Sequence, residues 1–172
     1  MKVKVVPRRC IADPQLNLYQ YTVIDEYSRY RVLGVYEEQS TFSSADLLNK
    51  VVAHFARKGI AVECVQTDNG FEFTHRIPGS QRNLETLFDA TARQLEIRHK
   101  LIRPYTPRHN GKVERSRRED QKRFYDSHRF YSLVDFGGQL ATHQNRSNSR
   151  PMRPLHWAAP REVLSSFTVQ YV

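Results

Sequence analysis

Residues 19–36 read YQYTVIDEYSRYRVLGVY. Two runs rich in β-branched and aromatic residues, 19–25 and 30–36, flank the polar break Glu26-Tyr27-Ser28-Arg29, a pattern that forms an antiparallel hairpin. Upstream, residues 2–6 (KVKVV) alternate lysine with valine and stop at Pro7, which supplies a third strand.

Downstream the period changes. Leu47, Leu48, Val51, Val52 and Phe55 recur at helical spacing up to Gly59, and Ser43 with Asp46 resembles a capping box at the start of that helix. Residues 61–67 (AVECVQT) then form a short apolar run, as expected of a buried strand reached by a crossover. Residues 74–83 read as a loop, and Leu84, Leu87, Phe88, Thr91 and Leu95 give a second helical stripe. Residues 97–102 return to strand character before a loop holding Pro104 and Pro107. A third helix is expected from Gly111 to about residue 128, and a fourth from Leu133 to about residue 144, where Gly137-Gly138 weakens the pattern. From residue 147 onward, Pro and Arg punctuation predicts an irregular tail. The fold class is therefore α/β, a mixed sheet of three antiparallel strands followed by crossover parallel strands, flanked by helices. One core, residues 1–155, carries a tail, 156–172, that packs on it or extends from it.

The 172 residues hold 27 Lys+Arg against 18 Asp+Glu, a formal net charge of +9. Residues 98–123 carry ten of the basic residues against Glu114, Glu119 and Asp120, which is +7 of that surplus. A concentrated basic patch favours a polyanion by releasing its counterions, and the interleaved Tyr105, His109, Phe124 and Tyr125 suit stacking on bases or sugars. The plain alternative is a solvent-facing basic helix with i,i+4 pairs such as Glu114 with Arg118 and Glu119 with Arg123. No run approaches the ~18 apolar residues a spanning helix needs, so no membrane partner is expected. The N-terminus lacks a signal-peptide core, and Cys10 and Cys64 belong to no CxxC pair, which together point to the cytoplasm.

Two segments carry chemistry. Thr67-Asp68-Asn69-Gly70 closes the predicted buried strand, where open α/β sheets place their ligand sites, although Asp-Asn-Gly is also ordinary turn chemistry. Residues 103–115 (RPYTPRHNGKVER) lead a Pro-stiffened loop into a helix whose first turn carries Glu114, an acid that also suits the helix dipole.

With Ile24-Asp25-Glu26-Tyr27-Ser28-Arg29, these segments resemble the catalytic core of retroviral-integrase-type (DDE) transposases, especially bacterial insertion-sequence transposases. The resemblance runs in family order over nearly the whole chain. It implies a ribonuclease-H-like fold, a bacterial cytoplasmic protein, and DNA transposition or integration by phosphodiester cleavage and strand transfer. It further implies Mg²⁺ or Mn²⁺ as cofactor, transposon ends and target DNA as partners, and a homo-oligomer. In-line displacement at a phosphodiester is served by two such ions about 3.5–4 Å apart, held by a few carboxylates. By resemblance Asp68 and Glu114 are catalytic acids and metal ligands. Arg117, Arg118 and Gln121 share the face of Glu114 and would grip DNA, with Arg103, His109, Asn110, Lys112 and Arg115 near the start of the helix.

The first acid of that family pattern falls on Lys2, so as an enzyme the chain is uncertain. Three readings stay open. The chain is cut inside its first strand, or the acid has been replaced and the chain is a catalytically inactive DNA-binding remnant, or Asp13 or Asp25 substitutes. Between Asp68 and Glu114 lie 45 residues, an interval long enough to include the 74–83 loop.

Overall fold

The computed structural model describes residues 1–74, 84–102 and 111–169, with the side chains of 112, 113, 168 and 169 left aside. Strands β1 (Lys2–Val5), β2 (Tyr19–Ile24) and β3 (Arg31–Tyr36) form one antiparallel sheet in that order. Val3 lies opposite Tyr21, and Tyr21 opposite Gly34. After helix α1 (Thr41–Ala56), strand β4 (Cys64–Thr67) pairs in parallel with β5 (Arg98–Leu101) across helix α2 (Leu87–Gln94). The Met1 nitrogen donates to the Gln66 carbonyl, which sets the start of β1 beside β4. Helices α3 (Gly111–Asp120), α4 (Leu133–Asn148) and α5 (Pro160–Val169) complete the chain. The expected mixed α/β order is the one observed.

The period of two along β2 divides the interior. Tyr21 faces a core built with Leu47, Leu48, Val51 and Phe55 of α1, Phe88 and Ala92 of α2, and Val65, Phe73 and Leu164. Gln20 and Thr22, pointing the other way, lie on the side of a second cluster of Val6, Leu18, Phe124, Tyr125, Phe130, Phe136 and Leu140. Burying both faces of the sheet is what the six aromatic residues Phe73, Phe88, Phe124, Tyr125, Phe130 and Phe136, all under 2% exposed, achieve.

Several local expectations change. The cap of α1 is Ser40, whose hydroxyl accepts from the Ser43 amide at 3.1 Å, so Ser43 lies inside the helix. Asp46 instead meets Lys50 and the Tyr36 hydroxyl. Strand β4 begins only at Cys64, three residues later than expected. Helix α4 runs through Gly137-Gly138 to Asn148 because Ser132 caps it and Phe136 and Leu140 are buried. The third helix does not continue as α-helix to residue 128. After Asp120 it widens into a π turn, Gln121–Tyr125, with the Asp126 amide on the Gln121 carbonyl at 3.0 Å. That extra residue per turn lets Asp120, Phe124 and Tyr125 all point inward, each at most 1% exposed. The expected irregular tail contains α5, which starts on Pro160 and is closed by Glu162 accepting from the Ala159 amide at 2.7 Å.

Gly34 sits where β3 passes α1. A Cβ there would lie 2.8 Å from Leu47 Cδ1 and 2.9 Å from Tyr36 Cε2, and Leu47 is fully buried. Gly34→Ala is expected to cost about 1–3 kcal/mol by overpacking. Urea unfolding measures it, and a loss below about 0.5 kcal/mol would show that Leu47 has room to move.

Candidate active site

Asp68 follows the last residue of β4, and its place is fixed by its neighbours. The Ile102 amide donates to the Thr67 carbonyl at 3.0 Å, the Asn69 side-chain amide donates to the Ile102 carbonyl at 3.1 Å, and the Gly70 amide approaches the Asp68 carboxylate at 3.4 Å. Asp-Asn-Gly is thus a turn, and it stands at the carboxyl end of β4. Behind it, Thr67 Oγ1 lies 2.7 Å from His99 Nε2, whose Nδ1 is 2.6 Å from Asp89. This chain from α2 through β5 braces the end of β4. Composition gave no reason to single out His99, whose signal is its register opposite Val65 in the parallel pair.

Glu114 reaches the same corner from the first turn of α3. Between the two acids stands Lys2. Its ammonium is hydrogen-bonded to Glu114 and lies 3.9 Å from Asp68. Arg117 is a further 3.9 Å contact of Glu114. The hydrogen bond from Lys2 holds the Glu114 carboxyl below its ordinary value against the opposing effect of partial burial, with the charges of Lys2, Arg117 and Arg118 adding to the hold. The position that family resemblance assigns to an acid is therefore filled by a cation that bridges the other two.

Strand alternation explains the placement. Lys2 and Lys4 share the face of β1 opposite buried Val3, and Lys4 Nζ donates to Gln121 Oε1 at 3.1 Å. Two contacts, Lys2 to Glu114 and Lys4 to Gln121, lash β1 along two turns of helix running in the same sense. Gln121 is also bound to Asp126 at 2.7 Å. Asp13 and Asp25 are engaged in turns of their own, Asp13 with the Gln15 amide at 2.8 Å and Asp25 with the Ser28 amide and hydroxyl at 2.7 and 2.6 Å.

A divalent cation fits this corner poorly. Two carboxylates already share an ammonium, and among the described residues no group of three His, Cys, Asp or Glu is placed to hold a metal. Of the other expected contacts, Arg117, Arg118 and Gln121 share the helix face of Glu114, whereas Arg115 lies about 100° round the helix, on the wall of a different cavity. Glu119 and Arg123 form the expected pair at 2.5 Å. Arg103, His109, Asn110 and the side chain of Lys112 lie outside the described residues.

The residue pattern missed the most heavily bonded group near this site. Asp120 is fully buried; Arg31 Nη2 donates to both of its oxygens (2.6 and 2.8 Å), and it has hydrogen bonds with Gln20 (3.0 Å) and His143 (2.9 Å). Both cysteines are free. Among the described residues no helix is long and apolar enough to cross a membrane.

The sequence matches the Integrase core domain family over residues 3–107, and a second family of that description over residues 95–160. The "Putative integrase ORF3" of Spiroplasma virus SpV1-C74 is 27% identical over 155 residues, covering 88% of this chain and 43% of that protein. The chain thus spans less than half the length of the curated relative it matches. In structure it is similar to the catalytic core domain of BIV integrase, with TM-score 0.66 at 16% identity over 99% of this chain and 97% of that one. A chain of the simian T-cell lymphotropic virus intasome in complex with PP2A regulatory subunit B56 gamma superposes with TM-score 0.59 at 18% identity, over 86% of this chain and 47% of its own.

Proposed function

The chain belongs to the integrase core domain family, and from that premise we propose that it is the DNA-engaging core of a transposase or integrase in which Lys2 closes the acid corner against divalent metal. The single observation carrying this reading is the Lys2 ammonium between Asp68 and Glu114. In a complete site of this kind, carboxylates at the corner hold divalent ions that activate and stabilise the oxygens of the scissile phosphate. Here the corner is close to neutral without metal, since Lys2 and Arg117 balance the two carboxylates. A phosphate is not repelled there. DNA contact then falls to Arg117, Arg118 and the remaining basic residues of 98–123, and binding has steep salt dependence. The chain as it stands holds DNA without cutting it, and the three-acid arrangement is the cleaving one.

Lys2→Asp is the direct test. The variant is expected to lose thermal stability in chelator, because three carboxylates then face one another, and to regain it on Mn²⁺ titration. It should also nick duplex DNA with Mn²⁺, while Lys2→Asp/Asp68→Asn should not. The unaltered chain should show neither effect. Mn²⁺-dependent nicking by the unaltered chain, or no Mn²⁺ response in Lys2→Asp, would overturn the reading.

A further inference from the structure

Helix α3 is basic on both sides. Its Glu114, Arg117, Arg118 and Gln121 side faces the acid corner, and the opposite side, carrying Arg115, Ser116, Glu119 and Asp120, walls a cavity of about 500 Å³. The β2–β3 turn, the end of α4 and the segment leading to α5 close the remaining sides. Among the described residues six arginines line it, Arg29, Arg31, Arg115, Arg123, Arg150 and Arg153. Among the described residues only two carboxylates do, and both are engaged, Asp120 with Arg31 and Glu119 with Arg123. Arg29, Arg115, Arg150 and Arg153 have no carboxylate partner among the described residues.

The donors of this cavity are also unfinished. Arg29 Nη1, Arg31 Nε and Ser116 Oγ are buried without a hydrogen-bond partner, and Arg31 is more than nine-tenths buried. They are three of the four such side-chain atoms among the described residues, and all three belong to residues lining this one cavity. Buried donors left unmatched are costly, so three of them on residues that line one cavity point to an absent acceptor, reached once these side chains turn toward it. Arg29 is moreover held at φ 62°, a left-handed conformation that disfavours side chains other than glycine, and this turn presents its guanidinium to the cavity. A group with several acceptor oxygens and negative charge satisfies guanidinium and hydroxyl donors together, and a phosphate has that chemistry. Ile24, Met152 and the prolines 151, 154 and 160 add an apolar wall suited to the carbon skeleton that bears it.

We propose that this cavity is a second phosphate-binding site, across α3 from the acid corner, in which Arg29, Arg31 and Ser116 hold the phosphate oxygens and Arg150 and Arg153 close the mouth. Its ligand is either a backbone phosphate of duplex DNA or the phosphate of a free small molecule.

The probe is inorganic phosphate, followed by ³¹P line broadening at constant ionic strength in chloride. Saturable broadening is expected for the unaltered chain. Arg29→Gly keeps the left-handed turn without strain and removes the guanidinium, so it should fold normally and bind phosphate roughly tenfold more weakly. Arg150→Ala/Arg153→Ala, at two exposed side chains, should weaken it similarly. Duplex DNA affinity against salt separates the sources. A slope lowered by about 1 in Arg29→Gly identifies a DNA phosphate, and an unchanged slope with weakened phosphate binding identifies a small phosphorylated ligand. Absence of saturable broadening in the unaltered chain, or broadening unchanged in both variants, overturns the proposal. Because the readout uses neither metal nor cleavage, its failure leaves the role of Lys2 untouched, and the reverse also holds.

Discussion

Asp120→Asn is expected to lower the free energy of unfolding at pH 7 by about 3–5 kcal/mol, the range found when one partner of a buried ion pair is removed. The Arg31 guanidinium is buried, its two contacts to Asp120 are its charge partner, and the amide would leave that charge uncompensated. The amide nitrogen would also turn a donor toward Arg31 or Gln20, which are donors themselves. Burial pushes the Asp120 carboxyl up. The hydrogen bond with His143, the charge and hydrogen bonds of Arg31 and the hydrogen bond from Gln20 outweigh it and bring the group from 3.8 down to about 2. A depressed carboxylate contributes stability that is fully present above its unfolded value and is lost as pH falls through its folded value. The contribution of Asp120, on the order of 2 kcal/mol from this shift, should therefore fade between about pH 4 and pH 2. Urea unfolding of both proteins across that window checks it. A loss at pH 7 under 1 kcal/mol, or a gap between them that does not narrow below pH 4, would contradict the network as described.

Phe124→Ala should cost a similar amount, about 3–5 kcal/mol, for a different reason. Phe124 is 1% exposed and its ring lies 5.2 Å from Tyr125, 5.4 Å from Phe130 and 4.7 Å from His143, centroid to centroid. It occupies the π turn that joins the end of α3 to α4 and to the second core. Its removal leaves a cavity that these neighbouring rings cannot readily close, since Phe130 packs on Phe136, Tyr125 packs on Phe130 and His143 is bonded to Asp120. Equilibrium denaturation gives the cost. A value below about 1.5 kcal/mol would mean that α3 is anchored elsewhere, and Lys2 and Lys4 of β1 would be the first alternative anchors to examine.

These two losses bear on function through one helix. Glu114 at its start faces Asp68 and Lys2, Asp120 at its end is locked to β3 and α4, and the π turn beyond seats it on the aromatic cluster. The acid corner is thus held at a fixed height above the sheet by contacts made two to three turns away.

Much of this was written locally. The alternation in KVKVV and YQYTVID, the helical stripe from Leu47 to Phe55 and the Pro-bounded loops depend on neighbours a few residues apart, so strands β1 to β5, helices α1 to α4 and the two acids were legible from the chain alone. The ends were less so, because a cap such as Ser40 competes with Ser43 three residues on, and packing on the core decides between them. Helix α5 was legible in principle from Pro160 and Glu162, but its periodic stripe is short and Leu164 gains meaning only where it meets the first core. The partnerships were decided by tertiary structure alone. Lys2 meets Glu114 across 112 residues, and Arg31 meets Asp120 across 89. From the sequence Lys2 is a missing acid and Asp120 one more charge on a basic helix. The fold makes the first a cation bridging two carboxylates and the second the buried anchor of that helix, because long-range pairing depends on which faces the sheet and helices bury, and no local period records that.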